Sequence, residues 1–550
     1  MNASTTPMQV PVLIAGGGVA GLSAALFLLQ QGITPLLIER RRGTSIHPRA
    51  RGFDIRTMEL YRGIGLHESI REAGKTLAPA WGIHSGESLA AAIPKKLKKK
   101  KHNPQQLFGV KSLGAMSPEA GARCTQDLSE PVLLAAAQQR GADIHFNTEL
   151  IAFQQHPDYV QATLRHRDTG EVMEVKASYM IAADGARSFV RETLQAPVSG
   201  KGPQGHLLNI YFEAPLGDFV RGREFSIMLI RRPGIRGMLT AINNSDRWVF
   251  HLSYDPAQAD QYTIPHVTSI LQSMIGLPDI PVRVLSILPW QPTTRVVNEM
   301  QHGRIFIAGD AAHTMTPYGG KGANSGIQDV HNLAWKLAAV LRGEATPILL
   351  TSYSPERQPV GLQAALFSGS RADEYGLLSM KKMNMTGMIT NIMRIKLAEG
   401  MGMQKTVNRL IMKQLAGLAG LPDYRYQSAA IISNGNHSQI SLNGQPGTRL
   451  PHAWIRQGQE KISTLDLAGT RFFLLTGSDN ESWKHAAAEA PIALDIHAID
   501  LIDTTKTVEA LFGIASDGAL LVRPDGFVAW QCMHFSDELN QVLKKILGFI

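Results

Sequence analysis

Three glycines at a fixed spacing are the residues of this sequence that most directly imply a chemistry. Gly16, Gly18 and Gly21 form the pattern Gly-x-Gly-x-x-Gly, with Ala20 inside it, directly after the apolar run "VPVLIA". The first glycine permits a tight turn, the second lets a pyrophosphate approach the backbone, and the third lets a helix pack closely on a sheet. Free N–H groups at the start of that helix bind phosphate. The pattern therefore predicts a dinucleotide site.

An acidic residue follows where a dinucleotide site requires one. The apolar run "TPLLIE" ends at Glu39, whose carboxylate can accept hydrogen bonds from an adenosine ribose, and Arg40 comes next. The intervening stretch "VAGLSAALFLLQQG" has helical periodicity and stops at Gly32. A glycine pattern alone is a weak signal, because glycine-rich turns are common. Strand, helix and acid together favour a dinucleotide over a purely structural turn.

A second strand–loop–helix segment reads "RIFIAGDAAHTMTPYGGKGANSG", residues 304–326. Its buried strand ends at Gly-Asp, with the acid at Asp310, and a glycine-rich loop precedes a long amphipathic helix. This arrangement predicts a site for a large, flat group that is polar at one edge. The alternative is that Asp310 only caps a turn.

The elements that position these residues follow from the hydrophobic pattern. Residues 159–185 predict a hairpin that turns around Asp168, Thr169 and Gly170. Residues 195–290 are rich in strands and predict an antiparallel sheet in a separate layer. Residues 376–420 are helical and rich in methionine, and from residue 440 onwards strands and a closing helix predict an α/β module.

Length and composition limit the class of protein. The chain of 550 residues is too long for one core, and its 44% hydrophobic and 18% charged residues are ordinary for a globular protein. The two cysteines, Cys124 and Cys532, exclude a disulfide framework and any CxxC zinc or redox site, and no metal site is expected. The sequence shows neither a signal peptide nor a membrane span, so we expect a cytoplasmic location.

The charge is positive and partly local. The net charge is +9, and six lysines lie in "PKKLKKKKH" between Lys95 and Lys101. This run is interpreted either as a solvated loop or as a surface that attracts an anionic cofactor, substrate or surface, and its role stays open. No aromatic residues alternate with the lysines, so nucleic-acid binding is not expected.

Three motifs together carry a family resemblance. The glycine pattern, "AADGARSFVR" and "RIFIAGDAAH" resemble, in type and spacing, the single-component FAD aromatic monooxygenases. That family includes para-hydroxybenzoate hydroxylase, phenol hydroxylase and the aromatic polyketide hydroxylases. The C-terminal stretches "GTRLPHAWIRQ" and "GALLVRPDGFVAWQ" resemble the thioredoxin-like domain of the phenol and polyketide hydroxylases. Because CxxC is missing, that domain is expected to serve structure or subunit contact.

The resemblance implies an α/β fold with several parts. These are a Rossmann-like FAD-binding domain, an antiparallel-sheet substrate domain, a helical connector and a C-terminal thioredoxin-like domain. The implied boundaries are 1–76, 105–193 and 289–375 for the FAD-binding domain, 77–104 and 194–288 for the substrate domain, 376–435 for the connector, and 436–550 for the thioredoxin-like domain.

The resemblance also implies which residues hold FAD, without a covalent link. In the family, the residue matching Asp310 hydrogen-bonds the ribityl chain, the loop that here contains Gly319 passes the isoalloxazine ring, and the following helix directs its positive end at the ring. The implied cofactor residues are Gly16, Gly18, Ala20, Gly21, Glu39, Arg40, Arg49, Gln126, Asp184, Asp310, Pro317, Gly320, Gly322, Ala323 and Asn324.

The segment around Asp184 resembles one that serves FAD and NAD(P)H together. Arg187 and Arg191 are therefore candidates for binding a phosphate of the reductant. The alternative is a helix that starts at Ser188 with a solvated arginine face. His313 is a candidate base, but its position beside the flavin loop favours a structural role. No catalytic residue is assigned.

Substrate-pocket residues are the least defined part. Arg51 stands where phenol hydroxylases carry an acid near the substrate, so the phenol-hydroxylase site does not transfer directly. The pocket candidates are Arg51, Asn209, Tyr211, Met228, Met238, Tyr318 and Met388. For Met388 and the other methionines of residues 376–420, packing between domains is the alternative to lining a pocket for a large lipophilic aromatic.

The implied activity is NAD(P)H- and O2-dependent hydroxylation of a phenolic or polycyclic, polyketide-like aromatic through a C4a-hydroperoxyflavin. NADPH or NADH would act as a transient reductant. A peroxyflavin enzyme performing Baeyer–Villiger insertion or oxidative decarboxylation is one alternative. A non-catalytic FAD-binding protein is another. The oligomeric state is open, with a homodimer among the alternatives.

Overall fold

The computed structural model of the chain describes residues 7–78, 82–93, 115–381, 385–403, 406–407, 409–410, 417, 420–433, 440–502 and 506–550. The lysine run at Lys95–Lys101 lies outside these residues. The side chain of Met388 is also not described, so the prediction made for it is not addressed.

The strands are, in chain order, β1 (Met8–Ala15), β2 (Leu36–Glu39), β3 (Ile83–Gly86), β4 (Asp143–Phe146), β5 (Thr148–Gln155), β6 (Val160–His166), β7 (Val172–Ala182), β8 (Val198–Pro203), β9 (Leu207–Glu213), β10 (Ile227–Arg232), β11 (Ile235–Ala241), β12 (Arg247–Ser253), β13 (Arg283–Trp290), β14 (Thr293–Val297), β15 (Gln301–His302), β16 (Ile305–Ile307), β17 (His313–Thr314), β18 (Trp454–Gln457), β19 (Glu460–Ser463), β20 (Phe473–Thr476), β21 (Asp495–Ala498), β22 (Ala519–Val522) and β23 (Val528–Cys532).

The α-helices are α1 (Val19–Gln30), α2 (Ile55–Gly63), α3 (His67–Ala73), α4 (Leu89–Ala92), α5 (Gln126–Gln139), α6 (Phe189–Thr193), α7 (Gly217–Val220), α8 (Ile264–Ile275), α9 (Gly322–Leu341), α10 (Tyr353–Gly369), α11 (Met385–Gly400), α12 (Glu481–Ala488), α13 (Val508–Phe512) and α14 (Leu539–Ile546). No helix of the described residues is long and apolar enough to cross a bilayer.

The first sheet carries the dinucleotide pattern. Its order is β15-β16-β7-β1-β2-β4, and the central strands β16, β7, β1, β2 and β4 are parallel neighbours. The apolar strands are buried on both faces, as a parallel sheet requires. Strands β5, β6 and β7 form antiparallel pairs, and the β6–β7 hairpin confirms the predicted turn. The helices α1, α5 and α9 pack on this sheet in one core cluster.

The second sheet is a separate layer. Its order is β13-β9-β12-β11-β10-β3, and all pairs except the parallel β10–β3 pair are antiparallel. Side chains alternate between its two faces. One face packs on α4 and α8. The opposite face contacts Tyr318 through Leu207, Leu229 and Met238. The second sheet therefore faces the glycine-rich loop that precedes α9.

The C-terminal part contains a four-stranded sheet of order β21-β20-β22-β23. The β20–β21 pair is parallel, and β22 is antiparallel to both β20 and β23. This is the thioredoxin-like arrangement. Trp483 and Trp530 pack with α14 on one face of this sheet, and Trp335 of α9 joins the same cluster. The C-terminal part therefore shares a core with the helix that begins at the glycine-rich loop.

Buried charges also join the C-terminal part to the rest of the chain. Arg523 donates two hydrogen bonds to Glu356 of α10, at 2.6 and 2.9 Å, and also pairs with Asp525. Lys336 of α9 donates to Glu356 Oε2 at 2.9 Å. We call Lys336, Glu356, Arg523 and Asp525 the Arg523 cluster. Its side chains are at most 1% exposed.

The methionine-rich helix α11 buries a narrow face. Among the side chains of α11 that the structure describes, the buried ones are Asn391, Ile395 and Ala398, at spacings of four and three. Met393 is 65% exposed and Leu397 is 64% exposed. Met393 therefore lies on the exposed side of α11, and the choice between packing and pocket lining for the methionine-rich segment stays a prediction.

Candidate active site

The glycine turn after β1 forms a cradle that side chains would fill. Gly16 has a φ of +111°, and a Cβ atom on Gly21 would lie 1.8 Å from the carbonyl oxygen of Gly16. Helix α1 begins at Val19, and within the described chain no side chain caps its first N–H groups. Free N–H groups at a helix start bind phosphate. This geometry fits a pyrophosphate.

Glu39 lies beside this turn, as the sequence predicts. Its Oε2 accepts a hydrogen bond from Gly17 N at 2.8 Å, and its Oε1 accepts one from Arg41 N at 2.9 Å. The carboxylate is therefore fixed at the end of β2, where a ribose of a bound dinucleotide would lie. The side chain of Arg40 is exposed.

Asp310 occupies the junction of two helix starts. It lies in a short turn at Gly309–Ala311, and a Cβ atom on Gly309 would come within 3.1 Å of Ala20 Cβ in α1. A Cβ atom on Gly326 of α9 would come within 3.0 Å of Gly309 Cα. The Asp310 side chain is accessible, although the surrounding protein desolvates it and raises its pKa. An accessible but desolvated carboxylate lines a cleft.

The loop before α9 closes the other side of this cleft. Gly319 and Gly320 have φ values of +107° and +63°, which only glycine adopts freely. Asn324 donates to Gly320 O at 2.6 Å and accepts from Asp54 N at 3.0 Å, so it fixes the loop.

Helix α9 begins at Gly322 without a side-chain cap from the described residues. Its positive end faces the side of Asp310, because a Cβ atom on Gly322 would lie 3.8 Å from Asp310 Oδ1. Pro317 is exposed in this loop, and Ala323 is half-buried.

Arg49 and Gln126 also reach the cleft. The N–H of Gln126 donates to Arg49 O at 2.9 Å. The electrostatic influence of Arg49 lowers the pKa of Asp310, so the two side chains lie near each other. The structure therefore brings predicted cofactor residues from six segments around one cleft: the glycine turn after β1, Glu39, Arg49, Gln126, Asp310 and the loop before α9.

Glu130 is a cleft residue that the sequence analysis missed. It accepts from Gln126 Nε2 and from Ser45 N, both at 2.6 Å, and it is 2% exposed. A Cβ atom on Gly18 would lie 3.7 Å from its Oε1. Burial raises the pKa of this carboxyl group. The sequence signal for Glu130 was its spacing, because a residue four positions after Gln126 lies on the same face of the helix.

The Asp184 segment corrects one prediction. Ser188 caps α6 by accepting from Arg191 N, and Asp184 Oδ2 accepts from Val190 N at 3.1 Å. The guanidinium of Arg191 is buried and donates to Ala186 O and Ala311 O, both at 3.0 Å. Arg191 is therefore occupied with backbone carbonyls and is wrong as a phosphate candidate. Arg187 is exposed.

His313 has a structural place. Its Nε2 pairs with Asp329 Oδ2 at 2.7 Å, and both side chains are fully buried. The same Asp329 accepts from Gly309 N at 3.2 Å and from Arg357 Nε at 2.9 Å. His313, Asp329 and Arg357 therefore fix the turn at Gly309 and Asp310 from the buried side. The sequence analysis missed the supporting role of Asp329 and Arg357.

The pocket candidates divide between the two faces of the second sheet. Asn209, Tyr211 and Met238 lie on the face that meets the glycine-rich loop. Met228 packs on the opposite face among residues of α4 and α8, so its assignment to the pocket is wrong. The error is one of strand parity, because neighbouring residues of a strand point to opposite faces. Tyr318 is buried, and its hydroxyl donates to Gly376 O at 2.7 Å.

Comparisons with known proteins agree with this geometry. Residues 9–368 match the family model described as "FAD binding domain", and residues 443–549 match "Aromatic-ring hydroxylase, C-terminal". The chain is 36% identical to a tetracenomycin A2 monooxygenase-dioxygenase of Streptomyces glaucescens, over 98% of this chain and 97% of that protein.

Solved structures show the same likeness. A ternary complex of aklavinone-11 hydroxylase with FAD and aklavinone has a TM-score of 0.82 and 28% identity, covering 99% of this chain and 100% of that one. The flavin-dependent monooxygenase PieE in complex with FAD and substrate has a TM-score of 0.80 and 28% identity, with the same coverage. Taken with the cleft around Asp310, these matches show that the chain belongs to the FAD-dependent aromatic-ring hydroxylases and is an FAD-dependent aromatic monooxygenase.

Proposed function

We propose that the protein hydroxylates a phenolic or polycyclic, polyketide-like aromatic with O2 and NAD(P)H. The observation that carries this proposal is the placement of the second sheet. Its face with Asn209, Tyr211 and Met238 lies against the loop at Tyr318 that borders the flavin cleft. An aromatic molecule between sheet and loop would lie beside the cofactor ring.

The protein's contribution is position and exclusion of water. The first N–H groups of α1 would hold the pyrophosphate of FAD, Glu39 a ribose and Asp310 the ribityl chain. The start of α9 would place its positive end at the ring. When bound, FAD supplies the chemistry of accepting a hydride and activating O2. Leu207, Leu229 and Met238 supply an apolar wall that keeps water from the reacting ring.

The named relatives indicate the size of the substrate. The first relative is named for tetracenomycin A2, and the solved neighbour binds aklavinone. Both matches span nearly the whole of both chains. Within the class proposed above, we therefore favour a polycyclic aromatic over a single-ring phenol. We also propose that the FAD-binding and substrate domains divide at the boundaries given in the sequence analysis.

The reductant and the mode of cofactor binding are tested together. Purified protein should be yellow, and acid precipitation should release the colour into the supernatant, because binding is proposed to be non-covalent. NADPH and NADH are then compared for oxidation in the presence of phenols, hydroxyquinones and polycyclic aromatics. Substrate-dependent oxidation supports hydroxylation if the product is 16 mass units heavier and carries a new hydroxyl group on the aromatic ring. Loss of carbon dioxide or a ring-expanded ester would overturn it.

A further inference from the structure

A row of apolar side chains on α11 faces solvent. Ile389, Met393 and Leu397 follow one another at spacings of four residues, and each is between 47% and 65% exposed. Met401, four residues further, is 59% exposed, and its N–H donates to Leu397 O, so the row continues past the end of the helix. We call Ile389, Met393, Leu397 and Met401 the α11 stripe. Single exposed apolar residues are common, but a continuous row indicates a surface that meets another apolar body.

The α11 stripe points away from the rest of the protein. At about 3.6 residues per turn, Ile395 lies about 160° around the helix from Met393, and Ile395 is fully buried. Asn391 and Ala398 are also buried and lie within about 60° of Ile395. Helix α11 therefore packs on the protein through one face and presents the stripe from the opposite face.

Two cations border the α11 stripe, one on each side. Arg394 lies about 100° from Met393 in one direction, and Lys396 lies about 60° from it in the other direction. Both side chains are exposed, and within the described part of the chain neither forms an ion pair. Long basic side chains beside an apolar surface keep their charge in water while their stems lie on that surface. Helices that lie in the interface of a membrane have this arrangement.

The charge around α11 indicates what the stripe would meet. Residues 376–420 contain seven basic residues and one acid, Glu399, and the whole chain carries a net charge of +9. An anionic phospholipid surface is complementary to this segment, because its acyl chains accept apolar side chains and its headgroups pair with cations.

A second copy of the chain is less complementary to the α11 stripe. A twofold contact places one patch against the same patch, so Arg394 and Lys396 would face the same cations of the other copy. Stable interfaces also involve about 20–30 residues on each side, far more than the stripe supplies. The charge and the size of the stripe therefore favour lipid over a dimer.

The chain links α11 closely to the proposed substrate pocket. Leu377 and Leu378 pack with Met238 and Tyr318 between the second sheet and the glycine-rich loop. Met385, the first residue of α11, is seven positions after Leu378, so their Cα atoms lie within about 25 Å of each other. A surface that holds α11 is therefore also close to the pocket.

We propose that α11 docks the protein on anionic phospholipid bilayers. The α11 stripe enters the region between headgroups and acyl chains, and Arg394 and Lys396 pair with the headgroups. The helix lies on the membrane rather than across it, since no helix of the described residues is long and apolar enough to span one. Docking gives the pocket access to lipophilic aromatics that dissolve in lipid.

The test is cosedimentation of the full-length, FAD-loaded protein with vesicles. Vesicles of phosphatidylcholine are compared with vesicles that also contain about 30% phosphatidylglycerol. The parent should pellet with the anionic vesicles alone, and salt at about 0.5 M should weaken this binding by screening the headgroups. Leu397→Gln should raise the lipid concentration for half-maximal binding about tenfold, because an apolar side chain no longer enters the bilayer. Lys396→Gln should raise it about fivefold, the effect of one cation near an anionic membrane.

Each variant has a matched control. Ile264→Gln is the control for Leu397→Gln, because Ile264 on α8 is 62% exposed and Leu397 is 64% exposed. Lys201→Gln on β8 is the control for Lys396→Gln, because it removes the same charge from an exposed position. Both controls should bind the anionic vesicles like the parent. Parent-like FAD absorption and melting temperature show that a variant is folded, and Met393→Gln replaces Leu397→Gln if the latter is unstable.

Three results would overturn the proposal. The first is a parent that stays in the supernatant with anionic vesicles. The second is an equal loss of binding in a variant and its control, because binding would then depend on the surface as a whole and not on α11. The third is a parent that is a dimer by light scattering while Leu397→Gln is a monomer, which would assign the stripe to a contact between copies. These measurements need no turnover, so their outcome is separate from that of the proposed function.

Discussion

Asp310 shows how a single residue can be assigned from its surroundings. Its carboxylate is accessible from the cleft while protein on all sides raises its pKa, and Arg49 and His313 oppose that rise. It lies between the first turns of α1 and α9, the two helix starts that lack side-chain caps in the described structure. We therefore expect this carboxylate to accept hydrogen bonds from the ribityl hydroxyl groups of FAD.

Asp310→Ala should weaken FAD binding by on the order of 1–3 kcal/mol, because a charged hydrogen-bond acceptor in a desolvated site is lost. The Kd for FAD is measured by quenching of flavin fluorescence on the deflavinated protein. Asp310→Asn, which keeps an acceptor oxygen, should lose less. Equal Kd values for parent and Asp310→Ala would remove this residue from the cofactor site.

At the scale of elements, local patterns were predictable and choices of face were not. The turn at Gly16 and the turn at Gly309 each lie within one strand–turn–helix unit, so residue order alone defined them. The prediction for Met228 was wrong because consecutive residues of β10 are buried, so the sequence pattern does not show which face of the sheet Met228 points to. The prediction for Arg191 was wrong because the carbonyl group that it binds, at Ala311, is remote in sequence and cannot be recognised from local spacing.

The close approach of α1 to the first glycine turn makes an element-level prediction. Gly21→Ala would place a Cβ atom 1.8 Å from Gly16 O, a backbone atom that cannot move aside cheaply. We expect a loss of about 1–3 kcal/mol in stability, as for other overpacked sites, together with lower FAD content. Thermal unfolding and the ratio of flavin to protein absorbance measure the two effects.

Gly63→Ala is the matched control for this change. Gly63 ends α2 at the surface, and no atom lies within 4 Å of a Cβ atom built there. Alanine favours helix over glycine, so this variant should be as stable as the parent or slightly more so. Parent-like stability and FAD content in Gly21→Ala would mean that α1 does not need its tight contact with the turn.

At the scale of the whole molecule, buried charge and an aromatic cluster join the C-terminal part to α9 and α10. The motif "RPDG" was visible in the sequence, but its role was not, since Arg523 and Glu356 are 167 residues apart. Pairing over that distance depends on the tertiary fold. The same helix α9 starts at the flavin loop and ends in this interface, so one rigid element connects the two.

Arg523→Met should destabilise the protein strongly, by about 3–5 kcal/mol, because it leaves Glu356 and Asp525 buried without their main partner. Denaturant unfolding can be followed by tryptophan fluorescence, because Trp335, Trp483 and Trp530 lie in this interface. Arg456→Met is the control. Arg456 pairs with Asp500 at 3.8 Å with both side chains more than half exposed, so its loss should cost no more than about 1 kcal/mol.

The pH dependence of this difference provides a separate check. The pKa values of Glu356 and Asp525 are lowered from 4.5 and 3.8 because Arg523 pairs with both carboxylates. A lowered folded-state pKa stabilises the fold above the unfolded value, and this stabilisation is lost as the pH falls through the folded pKa. In Arg523→Met, Glu356 and Asp525 lack that partner, and protonation removes the cost of burying their unpaired negative charges. The gap between the unfolding midpoints of parent and variant should therefore be widest at pH 6–7 and shrink below about pH 4. A gap that stays constant from pH 7 to about pH 3 would show that the lost stability comes from packing of the arginine side chain rather than from its charge.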